Sequence, residues 1–169
     1  MKTKLYLAFL LLGITWACQA QQTHPLEKWK GLMGEWKGEG SGKPGQGGGT
    51  FSFAYKLDNR IIERKSHSEY PAAKDKPLII HDDLMIIYPD SLGIPSKAVY
   101  FDNEGHVLNY SITYPAADIV FTTEKNGNAP VFRLSYTRLD SNTVNTKFEM
   151  SKNGVDFMTY VEGKSKKVE

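Results

Sequence analysis

The chain has 169 residues, of which 40% are hydrophobic, 12% aromatic and 24% charged, a balance that excludes a disordered tail, a collagen and a polytopic membrane protein and leaves one ordinary globular domain. Lys and Arg total 21 against 19 for Asp and Glu, and two of those bases, Lys2 and Lys4, stand in an N-terminal segment with the features of an export signal. Without them the domain is formally neutral, and no basic field is left to hold nucleic acid.

Met1 to Lys4 is a short basic start, residues 5–16 are an apolar run, and Ala17-Cys18-Gln19-Ala20 precedes the polar Gln21. These are the three regions of a secretory signal peptide. A membrane span needs about 20 apolar residues, so the run is too short for one. Two cleavage patterns fit. Cys18, the only cysteine, directly follows the small Ala17, as lipid attachment requires, although Thr15 and Trp16 depart from the aliphatic-then-small pattern. Alternatively Cys18 and Ala20 flank Gln19 in an A-x-A-like site cut before Gln21. The expectation is a signal peptide over 1–20, or 1–17 if Cys18 is lipidated, and a single domain over 21–169, exported to the periplasm or cell envelope. A membrane would be met only through a lipid on Cys18. The mature domain has no cysteine pair and hence no disulfide or thiolate metal site.

Pro25 suits a first helical position, and Leu26, Trp29, Leu32 and Met33 share one helix face, so a short helix is predicted over 25–33. After it the period is two. Strands are predicted over 34–40, 50–57, 60–70, 78–88, 97–102, 106–113, 118–124, 131–139, 143–150 and 155–164. The separators are turn chemistry, such as Asp58-Asn59, Asn103-Glu104-Gly105, Asp140-Ser141-Asn142 and Asn153-Gly154. None can hold a crossover helix, so consecutive strands are antiparallel neighbours, and a meander of ten closes into a barrel to remove its edges. Alternation assigns an apolar face to Phe51, Phe53, Tyr55 and Leu57, another to Phe132, Leu134 and Tyr136, and a third to Val144, Thr146, Phe148 and Met150. The fold class is all-β, an antiparallel up-and-down barrel of about ten strands with a short N-terminal helix, wide enough to hold a small molecule.

Gly34-Glu35-Trp36-Lys37-Gly38-Glu39-Gly40-Ser41-Gly42, after a short helix, resembles the G-x-W-x-G-x-G-x-G opening of the nitrobindin-like barrels, in the wider lipocalin and fatty-acid-binding (calycin) group. The resemblance implies a ten-stranded barrel with Trp36 at its closed end, plugged by the helix that carries Trp29. It also implies haem, held by a histidine of the final strand. The sequence departs there, with Met158 and Tyr160 in that strand and histidines only at 24, 67, 81 and 106. Haem iron needs a strong axial ligand, so haem is not carried over and no cofactor is expected.

Gly40-x-Gly42-x-x-Gly45 spells a dinucleotide fingerprint but precedes a strand rather than a helix, and Lys43 is followed by Pro44 rather than Ser or Thr, so both phosphate motifs fail and a loop is expected. His81 and Asp83 point one way, without an identifiable third metal ligand, and read as a bulge or a hydrogen-bonded pair. Residues 63–70 are polar on both faces: Glu63, Lys65, His67 and Glu69 on one, Arg64, Ser66, Ser68 and Tyr70 on the other. That half either passes the rim or faces a polar interior. No nucleophile elbow or zinc-protease helix is present. The reading is an exported barrel that binds a small hydrophobic or lipid-like ligand. Its rivals are a barrel enzyme using acid–base chemistry on such a substrate, and a structural domain with a filled core. Tyr55, Tyr110 and Tyr136 are expected as apolar walls with hydroxyl handles, Glu63, His67, Tyr100 and His106 as orienting polar groups, and Trp36 as the floor.

Overall fold

The computed structural model describes residues 25–40, 48–70, 72 and 77–169. The predicted signal segment with Cys18, His24 and the glycine-rich stretch 41–47 lie outside them. Helix α1 (Pro25–Leu32) has Pro at its start, Glu27 in the first turn and Lys30 in the last, where each charge complements the helix dipole. Gly34, at φ 112°, then turns the chain into the first strand, a conformation that a side chain would oppose.

Ten strands follow: β1 (Gly34–Gly38), β2 (Gly48–Lys56), β3 (Ile61–Tyr70), β4 (Ile79–Pro89), β5 (Pro95–Asp102), β6 (Val107–Thr113), β7 (Asp118–Thr123), β8 (Val131–Arg138), β9 (Thr143–Ser151) and β10 (Met158–Lys167). Each pairs antiparallel with its neighbours in sequence, and β1 pairs with β10 to close the barrel. Every element shifts from its predicted bounds at one end or both, and two of the shifts have clear local reasons. β10 begins three residues later than predicted, because Asn153 Oδ1 accepts the amides of Val155 and Asp156, both at 2.9 Å, and holds that stretch in a turn. β2 stops at Lys56, because Leu57, Asp58 and Asn59 all take positive φ, which leaves Leu57 exposed in the turn rather than on the inner face.

The half of the barrel under α1 is packed solid. Trp29 and Leu32 plug it from the helix, and Trp29 meets Phe53 and Phe121 edge-on at 5.7 and 6.0 Å. Trp36 stacks on Phe51 and donates its indole N–H to Leu32 O at 2.8 Å. Tyr136 closes the cluster against Phe51 at 5.3 Å and Phe53 at 5.2 Å. Each such ring contributes on the order of 1.5–3 kcal/mol by burial, with a further fraction from edge-to-face geometry.

The helix is also held from outside. Lys28 Nζ donates to three carbonyls where the chain passes from β6 into β7: Tyr114 at 3.2 Å, Ala116 at 2.5 Å and Asp118, the first residue of β7, at 3.2 Å. Trp29 Nε1 donates to the Tyr114 hydroxyl at 2.8 Å, which donates in turn to Pro95 O. Burial pulls the Lys28 pKa below its ordinary value, with Asp118 opposing.

Candidate functional site

Strand parity sets what the other half contains. On β3 the inward set is Ile62, Arg64, Ser66 and Ser68, fixed by the burial of Ile62 and Arg64. The ladder places Met85 opposite Arg64, and Asp83 opposite Ser66 and Asp102, so β4 and β5 bring Asp83, Tyr100 and Asp102 to the same inner wall. Tyr110 on β6 and Tyr136 on β8 complete it.

Arg64 is the centre of this wall. Its Nε donates to the Tyr136 hydroxyl at 2.6 Å and its Nη1 to Asp83 Oδ1, and both charged side chains are 7% exposed. Burial works to lower the Arg64 pKa, but Tyr136 and Asp83 outweigh it and the guanidinium stays charged. Burial pushes the Asp83 carboxyl upward, against the pull of Arg64 and His81.

Toward the rim, Asp102 organises the β5–β6 turn. Its Oδ1 accepts the amides of Glu104 (3.0 Å) and His106 (2.9 Å), while Oδ2 accepts the Tyr100 hydroxyl (3.1 Å) and lies 2.8 Å from His106 Nδ1. Burial raises the Asp102 pKa, and the His106 and Tyr100 bonds more than reverse this, holding it below the usual carboxylate range. His81 lies 3.1 Å from both the Tyr100 hydroxyl and Glu104, so it acts as a hydrogen-bonded bridge without a bulge at that point.

Tyr110 differs from its neighbours. Its ring is 3% exposed and packs edge-on to Tyr100 and Phe121, yet its hydroxyl oxygen has no hydrogen-bond partner among the described residues and is not sealed from open space. Burial raises its pKa, and Arg64, Asp83, Tyr136 and Asp102 are all near enough to act on it. Across the barrel, Gly163 of β10 lies opposite Thr146 on the inward parity, two residues from the buried Ser165, and an added Cβ there would meet nothing within 4 Å. The Tyr110 hydroxyl thus opens onto free space, and the inner side of Gly163, itself exposed, is clear on the other wall.

The residues expected to form the site divide accordingly. Tyr100, Tyr110 and Tyr136 meet around Arg64, and His106, 59% exposed by side chain, stands at the rim on Asp102. Trp36 is fully buried beneath Phe51, and Tyr55 lies at the helix end, within electrostatic reach of Lys30 and Glu27. Glu63 and His67 take the outward parity of β3 and do not face the interior. Glu63 pairs with Lys56 and Lys65, and His67 with Asp82 and Glu69. The sequence argument missed Arg64 as an inward group. The available signal was Ile62-x-Arg64, but Ile61 beside Ile62 left the parity open.

A separate concavity of about 610 Å³ crosses the outer wall, mostly between outward residues such as Lys65, His67, Asp82, Leu84 and Phe101. Ser66, Asp83 and Asp102, on the inward parity, line it as well. We place the candidate site inside because that is where unpaired polar capacity and buried charge coincide.

A haem iron would need an axial ligand from this donor set. β10 offers Met158 and Tyr160, 59% and 63% exposed, and each of His67, His81 and His106 is bonded to at least one carboxylate. Among the described residues no group of His, Cys, Asp or Glu is arranged to hold a metal.

No protein-family model matches the sequence, and no curated protein matches it. Among solved structures the chain is similar to Rv2717c from M. tuberculosis, at 14% identity and a TM-score of 0.54 over 86% of this chain and 98% of that one. It also aligns with the S-type phycobiliprotein lyase CPES from Guillardia theta at 7% identity and a TM-score of 0.49, over 85% and 92% of the two chains. At 14% identity the likeness to Rv2717c is one of fold, that of a closed ten-stranded antiparallel barrel.

Proposed function

We propose that this chain is a nitrobindin-like binding barrel without haem, exported to the cell envelope, that takes a small, largely apolar ligand into its open half. The observation that carries the reading is the Tyr110 hydroxyl, on a ring 3% exposed, without a partner among the described residues and near a buried Arg64. The hydroxyl opens onto free space instead of being sealed in packing, which leaves its O–H available to an entering acceptor. The apolar body of the ligand would lie against Phe148, which stacks on Phe132 at 5.7 Å, and its polar end would reach the tyrosines.

Native mass spectrometry of the purified protein, before and after organic extraction, tests this. A single small-molecule adduct that is lost on extraction, and lost from Tyr110→Ala more readily than from wild type, is expected. Bare protein in both samples, together with no change in tryptophan emission on titration with a long-chain apolar probe, would favour a structural role.

A further inference from the structure

Resting on that reading, the charges around the cavity decide which end of a ligand they can accept. Arg64 is the permanent cation on the inner wall of the open half, among the described residues, and it is already matched by Asp83, with both side chains 7% exposed. Asp102, 4% exposed, adds a second carboxylate to the same wall, and Glu104 adds a third at the rim. An entering carboxylate would therefore find its cation taken and further negative charge along its approach. Burying another anion in such a place is opposed by desolvation and by like charge together.

The donors that remain are neutral. Tyr110 has an O–H without a partner among the described residues. Tyr136 accepts Arg64 Nε on its oxygen and so keeps its own proton to give. Both phenols are held in the protonated form by burial, and their rings pack edge-on against the same Phe121, at 6.3 and 6.1 Å. A neutral O–H donor matches a lone pair of an uncharged oxygen. We infer that the ligand presents an uncharged oxygen acceptor, the carbonyl of an ester, amide, ketone or aldehyde, to Tyr110, and that the barrel discriminates against the corresponding fatty carboxylate.

The test is a matched pair of fluorescent probes, 11-(dansylamino)undecanoic acid and its methyl ester, titrated into extracted protein at pH 7.5. The ester is expected to bind about tenfold more tightly than the acid or better, a difference of about 1.4 kcal/mol. Tyr110→Phe should weaken the ester severalfold and leave the acid little changed. Asp83→Asn, checked for folding by circular dichroism, should shift the ratio toward the acid by freeing Arg64. The wild-type comparison decides even if that variant fails to fold. Equal or tighter binding of the acid overturns the carbonyl assignment and leaves the binding reading standing, whereas binding of neither probe removes both.

Discussion

Replacing Arg64 with Met keeps most of the aliphatic stem and removes the charge, which makes it a direct probe of the inner wall. The change strands Asp83, 7% exposed, without its cation and takes from the Tyr136 hydroxyl the Nε donor at 2.6 Å. Breaking a buried pair from one side costs about 3–5 kcal/mol, because the remaining charge is uncompensated. For a domain of this size that is a fall of roughly 6–20 °C in Tm, at about 2–4 °C per kcal/mol. Urea denaturation followed by tryptophan fluorescence is the assay, since Trp29 and Trp36 are both fully buried and report loss of the packed half. The pH dependence has a definite sign. Burial already raises the folded pKa of Asp83, so its contribution to stability is fully present below the unfolded value of about 3.9 and is lost as pH rises through the folded value. Without Arg64 the folded pKa rises further, and the deficit of the variant should be largest near pH 7.5 and shrink toward pH 4.5. Adding Asp83→Leu should return stability to within about 1 kcal/mol of wild type, as apolar replacement of both partners often does. A deficit below about 1 kcal/mol, or one unchanged between the two pH values, refutes the argument that these charges are buried and mutually dependent.

Four further outcomes are expected. Lys28→Met should cost about 1–2 kcal/mol and raise hydrogen exchange across Pro25–Leu32, because three carbonyl bonds at a partly exposed site are lost; unchanged exchange would mean that Trp29 alone holds the helix. Thr146→Val should be neutral or stabilising by up to about 1 kcal/mol in chemical denaturation, since Thr146 Oγ1 is buried with no partner among the described residues and the swap removes only the hydroxyl. Purified protein should show no Soret absorption and no rise in Tm with added haem, and a clear rise would place an iron ligand that the donor set here does not provide. Cys18→Ser should abolish membrane association if Cys18 is lipidated and leave soluble export unchanged if cleavage precedes Gln21, while an uncleaved N-terminus in envelope fractions would reject export.

The sequence carried most of the barrel because its inner faces are written in alternating aromatics. Phe51 and Phe53 or Leu134 and Tyr136 have no second interpretation at a period of two, and turns such as Asp140-Ser141-Asn142 leave no room for crossovers. The site was less legible for the same physical reason. Where the inner wall turns polar, alternation loses its contrast, and on β3 the sets Glu63, Lys65, His67 and Arg64, Ser66, Ser68 look alike by hydropathy. Only the register against β2 and β4 decides that Arg64 turns inward and His67 outward. Tyr110 and Tyr136 were recoverable because each sits among apolar inward neighbours. The pairing of Arg64 with Asp83 joins two strands through space, and no local pattern announces it.

The seam between β1 and β10 sets the order in which this molecule can be assembled. Gly38 meets Ser165 and Trp36 meets Lys167, so the first strand waits for the last before its open side is covered. Until then, Trp36 and Phe51 belong to an open sheet with an unpaired edge, the state in which a β chain is most prone to join another copy of itself. Hairpins β2–β3 to β8–β9 can zip in sequence from local contacts, whereas this final ring closure links the most distant strands and should be the slow event in folding. A ribosome that has not yet released the residues around Ser165 therefore holds a chain that cannot seal, and closure is left to the moment of release.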